Sequence, residues 1–341
     1  MDSVKIQSIE ILNSFKDGID EPDIQDCKVS KEKDFFIVLH GGTFSTKAVS
    51  VWRISSDQVQ KVSTVPITEK NIRNPRIHIS ENQNVLISYE AGYLKFKLSA
   101  EGILSLENSY QGGKGWAFGV LKENLIFYYS NYYDDTEHKT KRKFCLHDIL
   151  SHNEDKVITN DGFNSPSIID VYAAIHNDSL IFTGDEELFV FNVSDFKSPR
   201  GIFKQKIKNS KWKFVSHTPC VVCETGYHVS SAFHLLNEAG KEFEISSSVL
   251  KNRFVRAFDV DESNRIWAIV SNKNFEQSLV CVFAENGELK SGPVLVFPDI
   301  EDHPNCSNQI IHHVLEMVVQ KDIILVVFYS GAIARITRSN G

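Results

Sequence analysis

The chain has 341 residues, of which 42% are hydrophobic, 24% charged and 11% aromatic, with a formal net charge of −7. That composition excludes disorder, collagen and coiled coil, and the acidic balance opposes a dedicated nucleic-acid binder, because such affinity rests on Lys and Arg releasing counterions. Its 23 Phe and 10 Tyr against 2 Met, with apolar residues in short runs rich in Val, Ile and Phe, favour strands over helices. The N-terminus lacks the apolar core of a secretory signal, and no apolar stretch approaches the roughly 18–20 residues that span a bilayer. An intracellular protein, nuclear or cytoplasmic and not inserted in a membrane, is therefore expected. Six cysteines in 341 residues are too sparse for a disulfide scaffold and read as reduced thiols.

In chain order, residues 4–12 form a lone predicted strand. Behind it one pattern recurs: a short apolar run, a polar turn, a β-rich run, a turn with Gly or Asn, then a third run of alternating apolar residues. It is best formed over 168–193. There Ile168-Ile169-Asp170-Val171-Tyr172 leads through His176-Asn177-Asp178 to Ser179-Leu180-Ile181-Phe182-Thr183, and Gly184-Asp185-Glu186-Glu187 precedes a third run from Leu188 to Val193. Three strands and two hairpin turns follow. The middle strands centre on Ile37, Leu86, Ile126, Ile181, Val222, Ala268 and Leu325, at successive spacings of 49, 40, 55, 41, 46 and 57 residues. Those spacings bracket the roughly 40–50-residue period of propeller blades.

The expected fold is all-β: a single seven-bladed β-propeller domain over 1–341, with blades at 27–67, 74–110, 116–160, 167–208, 211–250, 254–298 and 312–338. The last unit has three strands before Gly341, and the N-terminal strand 4–12 is expected to supply its fourth and close the ring, since an unpaired seam would expose backbone donors and acceptors. Fourth strands such as Val59-Gln60-Lys61-Val62-Ser63 and Gly201-Ile202-Phe203-Lys204 are less apolar, as outer edges should be.

With this period, Ala48-Val49-Ser50-Val51-Trp52-Arg53-Ile54 resembles the third strand of the WD40-like β-propellers, with its terminal Trp. At the same position the other units carry Phe96, His147, Phe191, Leu235, Phe283 and Ile336. The segment Phe258-Asp259-Val260-Asp261-Glu262-Ser263-Asn264-Arg265-Ile266-Trp267 is similar to an NHL-type repeat. The resemblance implies a non-catalytic scaffold, a subunit or adaptor of a nuclear-pore, kinetochore, coat or RNA-modification assembly. Two alternatives stand beside it: an accessory subunit of an RNA-modifying enzyme such as a tRNA methyltransferase, and a propeller hydrolase or lactonase with a cation in its central channel. The expectation is no enzyme, no cofactor, no metal, no catalytic residue and no small-molecule substrate.

The candidate chemistry is weighed against plainer readings. Cys220-Val221-Val222-Cys223 has redox and zinc spacing, but residues i and i+3 of a strand diverge and no second pair follows. His78, Asp170, His217, Asp259 and His313 are expected on the channel wall, where Asp170 and Asp259 could offer oxygens to a cation; adjacent His312 and His313 diverge. Gly112-Gly113-Lys114-Gly115 lacks the remainder of a phosphate loop. The longest polar excursion, 130–143, joins the second and third strands of unit three. Its Tyr132, Tyr133, Asp134, Asp135, Lys139, Lys141, Arg142 and Lys143 are partner-binding candidates, because long loops on rigid scaffolds carry binding; its basic residues are also the expected place for any direct nucleic-acid contact. A solvated hairpin extension is the plain alternative. A second insertion supplies Asp299, Glu301, Asp302 and His303 as further docking candidates.

Overall fold

The structure is a computed structural model and describes residues 5–15, 24–42, 45–69, 72–112, 116–134, 136, 138–151, 155–158, 172–176, 178–183, 187–206, 211–215, 220–225, 232–236, 242–245, 250–272, 277–283, 289–295 and 314–339. These residues form 28 strands in seven four-stranded antiparallel sheets. Sheet 1 runs β2 (Ile24–Val29), β3 (Phe35–Gly42), β4 (Ser45–Ile54), β5 (Val59–Pro66), and sheet 2 runs β6 (Arg76–Ile79), β7 (Asn84–Tyr89), β8 (Gly92–Leu98), β9 (Leu104–Gln111). Sheet 3 holds β10 (Trp116–Lys122), β11 (Leu125–Asp134), β12 (Lys139–Asp148) and β13 (Lys156–Ile158). Sheet 4 holds β14 (Tyr172–His176), β15 (Ser179–Thr183), β16 (Glu187–Asn192) and β17 (Arg200–Lys206). Sheet 5 has β18 (Lys211–Val215), β19 (Cys220–Thr225), β20 (Ala232–Leu236) and β21 (Glu242–Ile245); sheet 6 has β22 (Phe254–Val260), β23 (Arg265–Ser271), β24 (Gln277–Phe283) and β25 (Leu289–Leu295). Sheet 7 departs from sequence order: β26 (Val314–Val319), β27 (Ile323–Phe328) and β28 (Ala332–Ser339) are joined at the outer edge by β1 (Lys5–Ser14). There Lys5 faces Ser339 and Ser14 faces Ala332. Among the described residues no helix is long and apolar enough to cross a membrane.

The core lies between sheets. Along β27 alternate residues point to opposite faces, so Ile324, Val326 and Phe328 pack with sheet 6 while Ile323, Leu325 and Val327 pack with sheet 1. β3 divides likewise, with Phe35, Ile37 and Leu39 toward sheet 2 and Phe36 and Val38 toward sheet 7. A strand covered on both faces needs apolar residues at every position, which is why second strands read as continuous apolar runs. The described clusters join sheets 1 and 2, 2 and 3, 3 and 4, 5 and 6, 6 and 7, and 7 and 1. First strands neighbour one another in the same succession, and β26 neighbours β2.

One turn design recurs between first and second strands. Lys33, Gln83 and Asn264 adopt left-handed φ of 57°, 56° and 57°, and their N–H groups donate to the carbonyls of Ser30, Ser80 and Asp261. The residue opening each turn caps it: Ser30 Oγ accepts from Phe35 N, Ser80 Oγ from Asn84 N, and Asp261 Oδ1 from Arg265 N. Register shifts near the start of β2, β10, β22 and β26 mark bulges that bend four first strands alike.

Candidate functional site

The candidates in 130–143 fall on one structural feature, and it is a hairpin rather than a loop. β11 and β12 each run ten residues, pairing Ser130 with Lys143, Asn131 with Arg142, Tyr132 with Lys141, Tyr133 with Thr140 and Asp134 with Lys139. β10 follows β11 only to Ser130, and β13 reaches β12 only from Phe144. Among the described residues, 131–134 and 139–142 therefore pair only with each other, as a two-stranded ribbon beyond the body of sheet 3. At about 3.4 Å per residue, four further rungs project roughly 14 Å. Polar composition suggested a loop; the β propensity of Tyr132, Tyr133 and Thr140 together with the continued register makes it strand. Asp135, Asp299, Glu301, Asp302 and His303 lie outside the described residues.

Of the expected channel residues, His78 and Asp259 are described, whereas Asp170, His217 and His313 lie outside the described residues, as does His312. Asp259 is no open cation ligand, because its oxygens are engaged: Oδ1 accepts from Val260 N at 2.8 Å, and Oδ2 accepts from Val319 N at 2.7 Å and Lys33 Nζ at 2.6 Å. It stitches β22 to β26. Asp26, which the sequence reading overlooked, does the same between sheets 1 and 2, its Oδ2 accepting from Ile77 N at 2.8 Å. His78 bonds the backbone of Leu121 in sheet 3, and its pKa is lowered to about 4, first by burial and then by the Lys28 charge, against that bond. Lys28 lies 3.7 Å from Asp26 and 3.8 Å from Glu316 of β26. These polar groups of the first strands hold neighbouring sheets together. Among the described residues no three His, Cys, Asp or Glu side chains gather as a metal site.

Two further clusters escaped the sequence reading. Between sheets 6 and 7, Trp267 Nε1 and Arg265 Nε donate to Asp261 Oδ2 at 2.8 and 2.7 Å, and the Arg338 guanidinium lies 4.5 Å from the Trp267 ring centre. Burial pushes the Asp261 pKa up, but the bonds from Trp267 and Arg265 and the Arg265 charge outweigh it and hold the carboxyl below its usual range. Between sheets 2 and 3, Asp155 accepts from Tyr128 OH at 2.5 Å and meets His147 Nδ1 at 2.6 Å, while His147 Nε2 lies 3.4 Å from Tyr93 OH. Burial, then Tyr110 and Asp155, raise the Tyr93 pKa to about 12; burial and the Asp155 bond push Tyr128 higher still. Both phenols stay protonated as donors. A carboxylate-oriented imidazole is the geometry of a general base, yet Tyr93 and His147 are buried, and the network joins strands of two sheets. Its sequence signal was His147 at the position that Trp52 occupies in sheet 1. There Trp52 Nε1 donates to Ser50 Oγ, which also meets His40 Nε2 at 2.6 Å. Cys220 and Cys223 stand three residues apart on β19.

No protein-family model matches the chain, and no curated protein matches it in sequence. Solved structures do share its fold. A virginiamycin B lyase from Staphylococcus aureus aligns over 97% of this chain and 99% of its own, with TM-score 0.58 and 11% identity. A streptogramin B lyase aligns over 97% and 98%, with TM-score 0.59 and 9% identity. The extracellular domain of a candidate one-component system from B. thetaiotaomicron aligns over 99% of this chain with TM-score 0.56 and 10% identity, and this chain spans 40% of that protein's length. At such identity the likeness is one of fold, and that fold is β-propeller-like; nothing in it is particular to the WD40 type. Two of these neighbours are enzymes. That overturns the expectation of a non-enzyme, which rested on a propeller without a legible catalytic motif.

Proposed function

We infer that the seven sheets are seven blades of one propeller domain, closed where β1 completes the last blade, and that the molecule works as a docking platform for a protein partner. The closed succession of neighbouring first strands and the core clusters on both sides of sheet 7 support the ring. The observation that carries the docking role is the β11–β12 ribbon, which leaves the body of its sheet with two backbone edges that no described strand pairs. A two-stranded ribbon is marginal by itself in water, and its edges offer N–H and C=O groups to an incoming strand. Tyr132 and Tyr133 on one arm and Lys139, Lys141 and Arg142 on the other suit an acidic partner segment with apolar residues.

The test replaces residues 131–142 with a short Asn-Gly turn and compares affinity purifications from the native cell by quantitative mass spectrometry. A stoichiometric partner recovered with the intact chain and lost with the trimmed one is expected. Equal recovery with both, or no stoichiometric partner with the intact chain, overturns the reading.

A second reading is catalytic, favoured by the two lyases that share the fold over nearly their full length. Incubating the protein with virginiamycin B and following the antibiotic by mass spectrometry tests it; an unchanged antibiotic at high enzyme concentration removes that activity.

A further inference from the structure

Lys33 occupies the left-handed corner of the β2–β3 turn, with φ 57°. That conformation suits Gly or Asn best, and the matching corners of sheets 2 and 6 carry Gln83 and Asn264. A lysine there is explained by what its ammonium reaches. Nζ donates to Asp259 Oδ2 at 2.6 Å, to the Val260 carbonyl at 2.9 Å and to the Val319 carbonyl at 3.1 Å. Its three protons therefore meet three acceptors, the full capacity of an ammonium. Two acceptors belong to the end of β22 in sheet 6 and one to the end of β26 in sheet 7, while the lysine itself belongs to sheet 1. The tie is reciprocal, since Gln320 Nε2 donates to the Lys33 carbonyl at 2.9 Å. The lysine side chain is only 17% exposed and that of Asp259 4%, so the pair is weakly screened by solvent.

We propose that Lys33 is the inner latch of the ring, holding sheet 7 between sheets 6 and 1 at the end of the first strands, across sheet 7 from the edge where β1 pairs with β28. This rests on the ring reading above. Sheet 7 is assembled from both ends of the chain, so its strands hold one another across a break in sequence order. The β1–β28 pairing fastens the outer edge; Lys33 fastens the inner edge, 226 positions from its carboxylate. Asp259 serves both functions at once, because the oxygen that takes the ammonium also takes the Val319 N–H. Loss of the ammonium takes the positive charge from a buried carboxylate, which keeps its backbone N–H donors, and takes one donor from each of two carbonyls. Sheet 7 then separates from sheet 6 as a local unit, ahead of global unfolding.

Native-state hydrogen exchange by mass spectrometry, on the full chain, tests this with Lys33→Met, Lys33→Arg and Asp259→Asn. Loss of a charge-assisted tie should speed exchange in peptides covering β22 and β26 by about tenfold or more, with sheets 2, 3 and 4 unchanged. Lys33→Arg should retain part of the protection. Exchange at β22 and β26 unaltered in Lys33→Met, or a rise of equal size in every sheet, overturns the latch. If Lys33→Met does not fold, Asp259→Asn decides: a localised rise supports the latch, and no local change overturns it. The ring reading fails separately, through absence of protection at β1 and β28 in the unsubstituted protein.

Discussion

At the scale of single residues, buried polar side chains act between sheets, and their titration follows from that burial. His40 is fully buried against Ser50, and its pKa is lowered to about 4 from 6.5, first by burial and then by the Lys61 charge. The His40 Nδ1 has no hydrogen-bond partner among the described residues, so a proton there gains no acceptor. Because the folded pKa lies below the unfolded one, the unfolded chain binds more protons between these values. Stability is complete above about pH 6.5 and drains as pH falls toward 4. The shift corresponds to about 3 kcal/mol. Thermal melts from pH 8 to 4 should show this loss, and His40→Gln, which does not titrate, should flatten the profile in that window. An identical slope in the variant would remove His40 as its cause. Asp259 shows what a sequence hides at this scale. Its place on a first strand was legible, but its role depends on Lys33 and Val319, which are distant in sequence and meet it only in the folded chain.

At the scale of elements, sheets 3 and 4 are joined by packed rings. Phe144 lies 5.9 Å from Phe127, 5.2 Å from Phe182, 5.3 Å from Phe189 and 4.9 Å from Phe191, centre to centre. Four neighbours at these separations define a site that cannot collapse around a small side chain. Phe144→Ala should cost about 3–5 kcal/mol, read from the urea midpoint at constant slope; a loss below about 1 kcal/mol would mean that the sheets do not pack there. Second strands were the legible elements. Ile37, Leu86, Ile126, Ile181, Val222, Ala268 and Leu325, chosen as centres from their apolar runs, lie on β3, β7, β11, β15, β19, β23 and β27. Both faces of such strands are covered, so the signal is a run. The ribbon reads in sequence as a loop, with a hairpin extension as the plain alternative, because 131–134 and 139–142, which pair only with each other among the described residues, are polar but for the tyrosines, and polarity imitates a loop. The Asp155 network left only His147 at the Trp52 position as a signal, because it joins Tyr93, Tyr128 and His147 of three strands to Asp155 by side-chain bonds that leave no period.

At the scale of the whole molecule, the repeat spacing near one blade length suggested a ring, and the sheets fall in a succession whose last member neighbours its first. The same fold carries lyases and an extracellular domain, so the ring by itself chooses no activity. Closure of the proposed ring is the feature on which the latch depends. In the β1–β28 register Glu10 stands opposite Arg335, and directly opposed residues of antiparallel strands lie within reach of a disulfide. The described native thiols Cys27, Cys145 and Cys281 are buried and do not compete. Mild oxidation of the Glu10→Cys, Arg335→Cys double variant, followed by peptide mapping of the monomer fraction, reads the closure directly. A near-complete bond between positions 10 and 335 within one chain is expected; free thiols at both positions, or bonds only between chains, would contradict a ring closed by its own N-terminal strand.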